Sequence, residues 1–204
     1  MSGTPFSTKQ RILEAAESLF ARHGFAGASL RQVTSAAKVN LAAVNYHFGS
    51  KDKLIEEVFR RRLDELNRRR LKALEALQDD ASLEEALSAF ITPALELAHE
   101  GEGGAAFVRV LARAYAEHND QLRAFLSNNY GHVLKRFTQV FAGKLPHLSR
   151  DELYWRTDIV AGALTYAMAD FGIIQRRPNV SEREHRAQAI EHLIRFASAG
   201  LRAD

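Results

Sequence analysis

The sequence of 204 residues contains no cysteine, only four prolines and no long apolar run. The absence of cysteine excludes disulfide bonds, zinc sites with thiolate ligands and a cysteine nucleophile. No stretch approaches about 18 consecutive apolar residues, so no transmembrane helix is expected. Residues 1–10 lack a basic segment followed by an apolar block, which argues against a signal peptide. Together these absences predict a cytoplasmic protein.

Signatures of catalysis are also lacking. The sequence contains no HExxH, GxSxG or GxxxxGK[ST] motif, and no GxGxxG after a strand. Its eight histidines are dispersed, and His185 and His192, two turns apart on one predicted helix, are expected to be solvated. The GEGG segment at 101–104 lacks the strand–loop–helix context of a phosphate-binding loop. We therefore expect no enzyme activity, no metal site and no cofactor.

The apolar content of 46% and the charged content of 26% are typical of a globular protein with a substantial core. The charge is unevenly distributed along the chain. Residues 1–72 carry 14 basic and 7 acidic residues, whereas residues 73–204 carry 14 basic and 18 acidic residues. The basic first third is expected to meet a polyanion, and a random scatter of charge is the alternative interpretation.

Apolar residues recur every three or four positions, which predicts an all-α fold. Helix starts are marked by a serine followed three residues later by Glu or Gln, the pattern of a capping box. The five pairs are Ser7/Gln10, Ser29/Gln32, Ser82/Glu85, Ser149/Glu152 and Ser181/Glu184.

Nine helices are predicted. Gly24 is expected to end the first in a left-handed conformation, and Pro93 to kink or interrupt the fifth. The GEGG segment is expected to be a flexible connection, and residues 176–180 a loop. The predicted helices run from about Thr8 to His23, Leu30 to Ala37, Leu41 to Phe48, Lys51 to Asp79, Leu83 to Glu100, Ala105 to Glu117, Asp120 to Phe141, Arg150 to Gln175 and Glu182 to Ala199.

The second and third predicted helices are short, are joined by a tight turn and follow a longer helix in the basic region. This layout is typical of a helix-turn-helix, whose second short helix lies in the major groove of DNA. Val33, Ala37, Val39, Val44 and Phe48 have the spacing of a small shared core.

The side chains on or near the open face of the third helix suit contacts with DNA. The Asn45 amide can pair with adenine or bond a phosphate, and small alanines allow close approach to thymine methyl groups. Basic side chains and helix N-termini beside this helix suit the phosphate backbone. The predicted DNA-binding residues are Ser29, Arg31, Leu41, Ala42, Ala43, Asn45, Tyr46, His47 and Lys51.

Two segments, RILEAAESLFARHGFAGASLRQV at 11–33 and AAKVNLAAVNYHFGSKDKLIEEVF at 36–59, resemble the DNA-binding domain of TetR-family transcriptional regulators. The resemblance implies the same DNA contacts and a repressor controlled by a ligand. Lys38 stands where a glycine is common in the turn, and Asn45 where a tyrosine is usual. The first departure implies mild strain or an added charge in the turn, and the second prevents transfer of an operator sequence.

The variant NLAAVNYHFGSK at 40–51, with ELYWR at 152–156, resembles a subgroup that includes fatty-acid-responsive repressors. The family architecture implies an N-terminal three-helix DNA-binding domain at 1–50. A larger helical domain for ligand binding and dimerisation is implied at 51–204, with the helix at 51–79 linking the two.

The resemblance also implies a homodimer formed through the last two long helices. Two copies would place recognition helices about 34 Å apart on a palindrome. The same apolar stripe can instead be an intramolecular core. The predicted interface residues are Leu153, Thr157, Val160, Leu164, Met168, Phe171, Ile190, Leu193, Ile194 and Ala197.

A ligand pocket is implied among the middle helices, enclosed under the eighth. Its aromatic richness favours a largely apolar effector, such as a fatty acid or an acyl-CoA, whose head group an arginine would meet. Ordinary core packing is the alternative for each aromatic residue, and a surface salt bridge for each arginine. The candidates are Phe107, Leu111, Tyr115, Phe125, Tyr130, Phe137, Trp155 and Tyr166, with Arg109, Arg113 or Arg156.

The sequence thus predicts a DNA-binding transcriptional repressor that binds a palindromic operator as a homodimer and is released by a small apolar molecule. The alternative is a DNA-binding protein without a small-molecule switch, which acts structurally or is controlled by a protein partner.

Overall fold

The computed structural model describes residues 7–117, 119–169 and 176–203, apart from the side chain of Glu102. All regular structure in these residues is α-helical, which confirms the predicted fold class. The helices are α1 (Thr8–Gly27), α2 (Leu30–Ala37), α3 (Leu41–Phe48), α4 (Lys51–Glu75), α5 (Leu83–Ala98), α6 (Gly101–Ala116), α7 (Asp120–Lys144), α8 (Arg150–Met168) and α9 (Glu182–Arg202). No helix in these ranges has the length and apolarity needed to span a bilayer.

Capping explains where the helices begin. The serine and its Glu or Gln partner bond reciprocally at the starts of α1, α2, α5 and α9, as the sequence predicts. At α8 only half of the box forms. The Ser149 hydroxyl accepts from the Glu152 N–H at 3.1 Å, while the Glu152 carboxylate turns to Arg156 at 2.7 Å.

Two of the predicted helices, the first and the fifth, differ from expectation in the structure. Gly24 has the expected positive φ of 72°, but helical structure resumes after it and continues to Gly27. Pro93 does not interrupt α5, because burial of its neighbours Phe90, Ile91 and Ala94 offsets the roughly 3 kcal/mol cost of an internal proline. The helix bounds otherwise agree within a few residues, and residues 170–175 lie outside the described ranges.

The prediction of a flexible connection at 101–104 is wrong. These residues form the first turn of α6, which begins at Gly101 with a φ of 64°. A Cβ atom at Gly103 would lie 2.1 Å from the Arg62 guanidinium, so the glycine lets this turn pack against α4. Gly103 therefore serves close packing.

The chain packs as two compact units, residues 1–64 with 100–127 and residues 65–99 with 128–204. In the first unit, α6 lies along α1. Four buried phenylalanines connect α1, α4 and α6. Their ring centroids are 5.6 Å apart for Phe20–Phe25, 6.3 Å for Phe25–Phe59 and 5.7 Å for Phe59–Phe107, within the range of favourable aromatic pairs.

In the second unit, α5 packs against α8 and α9. The ring of Phe90 lies 5.1 Å from that of Phe137, and the Arg70 guanidinium stacks on Phe90 at 4.0 Å. The C-terminal end of α9 is bonded to the start of α5. There Glu84 accepts hydrogen bonds from Ser198 at 2.6 Å and from the Arg202 guanidinium.

Candidate nucleic-acid interface

The turn between α2 and α3 is fixed by local backbone and side-chain bonds. Lys38 adopts the left-handed conformation, with φ 52° and ψ 52°, and is the one non-glycine residue with positive φ in the described ranges. Its N–H donates to the Ser35 carbonyl at 3.2 Å, and the Asn40 side chain then caps α3 by accepting from the Ala43 N–H at 2.8 Å. The turn is therefore tight at the cost of strain at one lysine.

The predicted core of this motif is largely present. Val33 and Val44 are fully buried, and Ala37 and Phe48 are nearly so. Val39 is only half-buried, because it lies in the turn and not on a packed helix face. Burial of this face determines which side of α3 is left open.

The open side of α3 carries the side chains predicted to meet DNA. Leu41, Ala42, Asn45 and Tyr46 are exposed, and Tyr46 is the most open of them at 85%. Their spacing of one, four and five residues places them on one helix face. Ala43 and His47 are half-buried at its margin, where the His47 ring meets the Tyr46 ring edge-on at 5.1 Å.

The remaining candidates stand at the starts of neighbouring helices. Ser29 and Arg31 are exposed at the start of α2, and the Ser29 hydroxyl is already engaged in the capping box with the Gln32 N–H at 3.2 Å. Lys51 opens α4 and is half-buried. The preceding Ser50 caps α4 by accepting from the Lys53 N–H at 3.2 Å.

A buried ion pair holds α4 to α1 behind this surface. The Arg62 guanidinium donates to both carboxylate oxygens of Glu17, at 2.9 Å and 3.0 Å, and the Glu17 side chain is only 4% exposed. Arg61 adds a second link to Glu14 at 3.3 Å. Because both hydrogen bonds of this buried pair are formed, the pair fixes the position of α4 against α1.

Sequence reasoning missed one residue that touches this region, Glu117. Its carboxylate accepts hydrogen bonds from the Phe25 N–H at 3.0 Å and 3.2 Å and from the Ala26 N–H at 3.4 Å. Gly24 signals a break in α1 that would need such an acceptor. The partner lies 92 residues away in the sequence, and nothing local identifies it.

Four of the eight predicted apolar ligand-pocket residues lie in the first compact unit and four in the second, and their burial differs. Phe107, Phe125 and Phe137 are buried in aromatic packing or under neighbouring side chains, whereas Leu111 and Tyr130 are half-buried. Tyr115, Trp155 and Tyr166 are 60%, 70% and 50% exposed in the single chain, and their part in a ligand pocket stays a prediction. The two α8 aromatics are exposed because they lie on the helix face opposite to its buried stripe.

The predicted head-group arginines have other partners or lie open. Arg109 is exposed, and the exposed Arg113 donates to the Arg22 carbonyl at 3.4 Å. Arg156 is committed to the end of α9, where it donates to the carbonyls of Gly200 and Leu201, both at 3.2 Å. It therefore caps a helix C-terminus.

The five described members of the predicted dimer stripe on α8 are buried within the single chain. Their role in a dimer interface stays a prediction. On α9, Ala197 is buried and Ile190, Leu193 and Ile194 are half-buried, while Phe171 lies outside the described residues. The buried members on α8 are Leu153, Thr157, Val160, Leu164 and Met168.

A different apolar set is exposed on the same two helices. Trp155, Ile159 and Tyr166 follow one face of α8, at 70%, 62% and 50% exposure, and Phe196 of α9 is 66% exposed. Gly162 lies between Ile159 and Tyr166 on this face, and a Cβ atom placed on it would meet nothing within 4 Å.

A surface cleft of about 600 Å³ lies between the C-terminal part of α4 and α5. Its walls combine small apolar side chains with three cations and two carboxylates, and none of the predicted ligand residues borders it. The lining residues are Arg68, Arg69, Lys72, Ala73, Ala76, Leu77, Glu85, Ser88, Ala89, Thr92, Pro93 and Glu96.

Comparison with known proteins covers both parts of the chain. Residues 12–58 match the family described as "Bacterial regulatory proteins, tetR family", and residues 88–200 match "Tetracyclin repressor-like, C-terminal domain". The transcriptional repressor NicS of Pseudomonas putida is 30% identical over 152 residues, which cover 72% of this chain and 68% of NicS.

Other relatives match over shorter stretches or by fold. The regulator YttP of Bacillus subtilis is 42% identical over 52 residues, or 26% of this chain, and the match spans only 25% of the length of YttP. A TetR-family regulator from Shewanella sp. PV-4 has the same fold, with a TM-score of 0.69, 19% identity and coverage of 94% of this chain and 96% of that one. The chain therefore belongs to the TetR family of helix-turn-helix transcriptional regulators, whose members are regulators and not enzymes.

Proposed function

We propose that this chain represses transcription by binding a palindromic operator as a homodimer, and that a largely apolar small molecule releases it. The observation that carries this proposal is the open face of α3. In a chain of this family, Leu41, Ala42, Asn45 and Tyr46 are exposed on a helix whose opposite face is locked into a core.

The proposed contacts divide into those that read bases and those that bind the backbone. Asn45 reads a base edge, and Ala42 and Ala43 lie against thymine methyl groups. Tyr46 and His47 bond phosphate oxygens through their polar tips. These roles follow from chemistry and exposure on a helix that would lie in the major groove.

The flanking candidates are proposed to clamp the backbone on either side of α3. Arg31 and Lys51 would each neutralise a phosphate. The Ser29 hydroxyl is held by the capping box, so its proposed contribution comes mainly from the N-terminus of α2, which favours an anion. Leu41 would add an apolar contact at the start of the recognition helix.

We propose that the dimer forms through α8 and α9, but through the exposed apolar set and not the predicted stripe. Trp155, Ile159, Tyr166 and Phe196 leave large apolar surfaces in water in the single chain. Gly162 permits close approach of a second helix. Because a two-fold interface uses the same patch on both copies, this set would meet its own equivalent.

For the effector, we propose an amphipathic molecule with an apolar body and an anionic group, a class that includes fatty acids and acyl-CoAs. Support comes from the cleft between α4 and α5, whose volume of about 600 Å³ suits such a ligand. Its apolar wall matches the apolar body, and Lys72 matches the anionic group, whereas Arg68 and Arg69 are bonded to Glu65. Binding would release DNA only if it favours a non-binding conformation.

The experiment selects duplexes from a random pool with the purified full chain and then measures anisotropy of a selected, labelled duplex across salt concentrations. We expect binding that weakens steeply with salt. Lys51→Ala should weaken binding to all duplexes and lower the salt slope by roughly one phosphate per subunit, whereas the exposed Lys135→Ala should change neither. An unchanged slope in Lys51→Ala would remove its proposed role.

The effector is tested by titrating dodecanoate and dodecanoyl-CoA into the complex. Release by either probe, weakened in Lys72→Ala, would support the amphipathic anion and its site. No release by these or by uncharged apolar compounds would favour a DNA-binding protein without a small-molecule switch. The complete burial of Phe107 and Phe137 favours this alternative, a DNA-binding protein without a small-molecule switch, because these side chains are packed as ordinary core.

A further inference from the structure

The first helix is broken close to the DNA-reading helices. Gly24 has φ 72° and ψ 175°, a conformation open to glycine and strained for other residues, and helical structure restarts at Phe25. A restarted helix has N–H groups without acceptors in the preceding turn. The Phe25 and Ala26 N–H groups are in this position and need an acceptor from elsewhere.

The Glu117 carboxylate is that acceptor. Its Oε2 lies 3.0 Å from the Phe25 nitrogen and 3.4 Å from the Ala26 nitrogen, and its Oε1 lies 3.2 Å from the Phe25 nitrogen. A carboxylate at the first turn of a helix forms charge-assisted hydrogen bonds and opposes the positive end of the helix dipole.

Space for this contact exists only because residue 24 is a glycine. A Cβ atom at Gly24 would lie 2.2 Å from Glu117 Oε1 and 3.2 Å from its Cδ. Any other residue would therefore face backbone strain and a clash with the carboxylate. The break in α1 and the position of Glu117 fit each other.

Glu117 directly follows the last residue of α6, and its own N–H donates to the Arg113 carbonyl at 2.8 Å. At the other end of α6, Gly103 lies against the Arg62 guanidinium, which is bonded to Glu17 of α1. The helix is thus joined to α1 at both ends, through Arg62 at its start and through Glu117 at its finish.

The segment held by Glu117 leads straight into α2. Ala28 is buried, and Ser29 begins α2 only three residues after Ala26. A short connection with a buried residue has little slack, so the position of Phe25 and Ala26 sets the start of α2.

We propose that Glu117 is a positioning residue for DNA binding, which holds the restart of α1 at Phe25 and Ala26 and thereby sets the start of α2. This inference rests on the proposed function, in which α2 and α3 bind DNA. The partner contact is specific to the carboxylate and to Gly24, and it assigns a role in DNA binding to a residue remote from the recognition helix in sequence.

The contact itself is tested without DNA, by amide hydrogen exchange of the full chain. In the wild type, the Phe25 and Ala26 amides should be protected. Glu117→Ala should speed their exchange about tenfold, as expected for the loss of charge-assisted hydrogen bonds, and Glu117→Gln, which keeps an acceptor oxygen, should speed it less. Asp80→Asn, a matched loss of an exposed carboxylate between α4 and α5, should leave both amides unchanged.

The role is tested by the affinity of the same variants for a duplex selected by the wild type. Stoichiometric titration first fixes the active fraction, so that misfolded molecules do not count. Per active molecule, Glu117→Ala should bind about tenfold more weakly, Glu117→Gln should fall between, and Asp80→Asn should match the wild type. If Glu117→Ala does not fold, the Glu117→Gln result decides.

The two proposals fail separately. A wild type that binds no duplex overturns the proposed function and, with it, the DNA role of Glu117. A wild type that binds DNA with variants of equal affinity overturns the positioning role alone. Unprotected Phe25 and Ala26 amides in the wild type overturn the contact.

Discussion

Lys38 has a side chain but adopts a backbone conformation that favours glycine. An L-residue with a side chain in the left-handed conformation costs about 1 kcal/mol, and glycine avoids most of this cost. The sequence identifies Lys38 as a departure from the glycine common in this turn, and the structure gives it φ 52°. The mild strain expected from the sequence is therefore present, because a turn of fixed length leaves this position no other conformation.

We predict that Lys38→Gly stabilises the chain by up to about 1 kcal/mol, since relief of strain exceeds the added chain entropy. Lys38→Ala keeps the strain and removes the charge, so it should leave stability near that of the wild type. Urea unfolding of the three proteins measures the difference. Equal stability of the glycine and alanine variants would show that the left-handed backbone costs nothing here.

Asn45 was the least predictable residue of the recognition helix, because its amide suits a base and a phosphate equally. The structure leaves it exposed on the open face, which is compatible with both. We predict that Asn45→Ala loses discrimination at particular base pairs, at about 1–3 kcal/mol for each lost bidentate contact. Anisotropy with single-base-pair variants of the selected duplex measures this loss, and equal weakening on every duplex would assign Asn45 to a phosphate.

At the scale of helices, local signals predicted most of what the structure contains. The bounds of α2 and α3 agree with prediction because Ser29, Asn40 and Gly49 mark their ends chemically. Which face of α8 is buried was not predictable in the same way. Both faces of α8 carry large apolar residues. Periodicity alone therefore cannot tell whether the face with Leu153 and Leu164 or the face with Trp155 and Tyr166 is buried. Packing of α8 against α5 and α9 decides this.

The two faces of α8 allow the proposed dimer interface and the folding of the chain to be tested separately. We predict that Ile159→Arg, on the exposed face, weakens the dimer and leaves the urea midpoint of the monomer little changed. Leu164→Ala, on the buried face, should cost about 2–5 kcal/mol of stability through the cavity that it leaves. Sedimentation velocity and urea unfolding measure the two effects, and a dimer unaffected by Ile159→Arg would contradict the proposed interface.

The hydrogen bonds between Glu84 of α5 and the residues Ser198 and Arg202 of α9 make the stability of the chain depend on pH. Hydrogen bonds from Arg202 and Ser198 lower the pKa of Glu84 to about 2. A carboxylate with a lowered pKa in the folded state stabilises it above the unfolded value of about 4.5, and this contribution is lost as the pH falls towards 2.

We predict that Glu84→Gln reduces stability above pH 4.5 and that its difference from the wild type shrinks as the pH falls from 4.5 towards 2. The effect should stay below about 1 kcal/mol, because the pair is partly exposed and screened by solvent. Urea unfolding at several pH values measures it. A difference that is constant through this window would show that Glu84 stabilises the chain in some other way.

For the whole molecule, the compact unit that contains the DNA-reading helices also includes α6. The family resemblance implies a domain boundary at residue 50. The link between Glu117 and Phe25 spans 92 residues, and that between Arg62 and Glu17 spans 45, so neither could be inferred from local pattern. Charge asymmetry did identify the DNA-binding end, because it needs only composition.

We propose that two copies of this chain bind one palindromic duplex. Sedimentation velocity of a labelled duplex selected by the wild type, with increasing protein, measures the number of chains bound. We expect two chains for each full palindrome, and much weaker binding to a half-site or to Ile159→Arg chains. A single chain bound as tightly to a half-site as to the palindrome would contradict it.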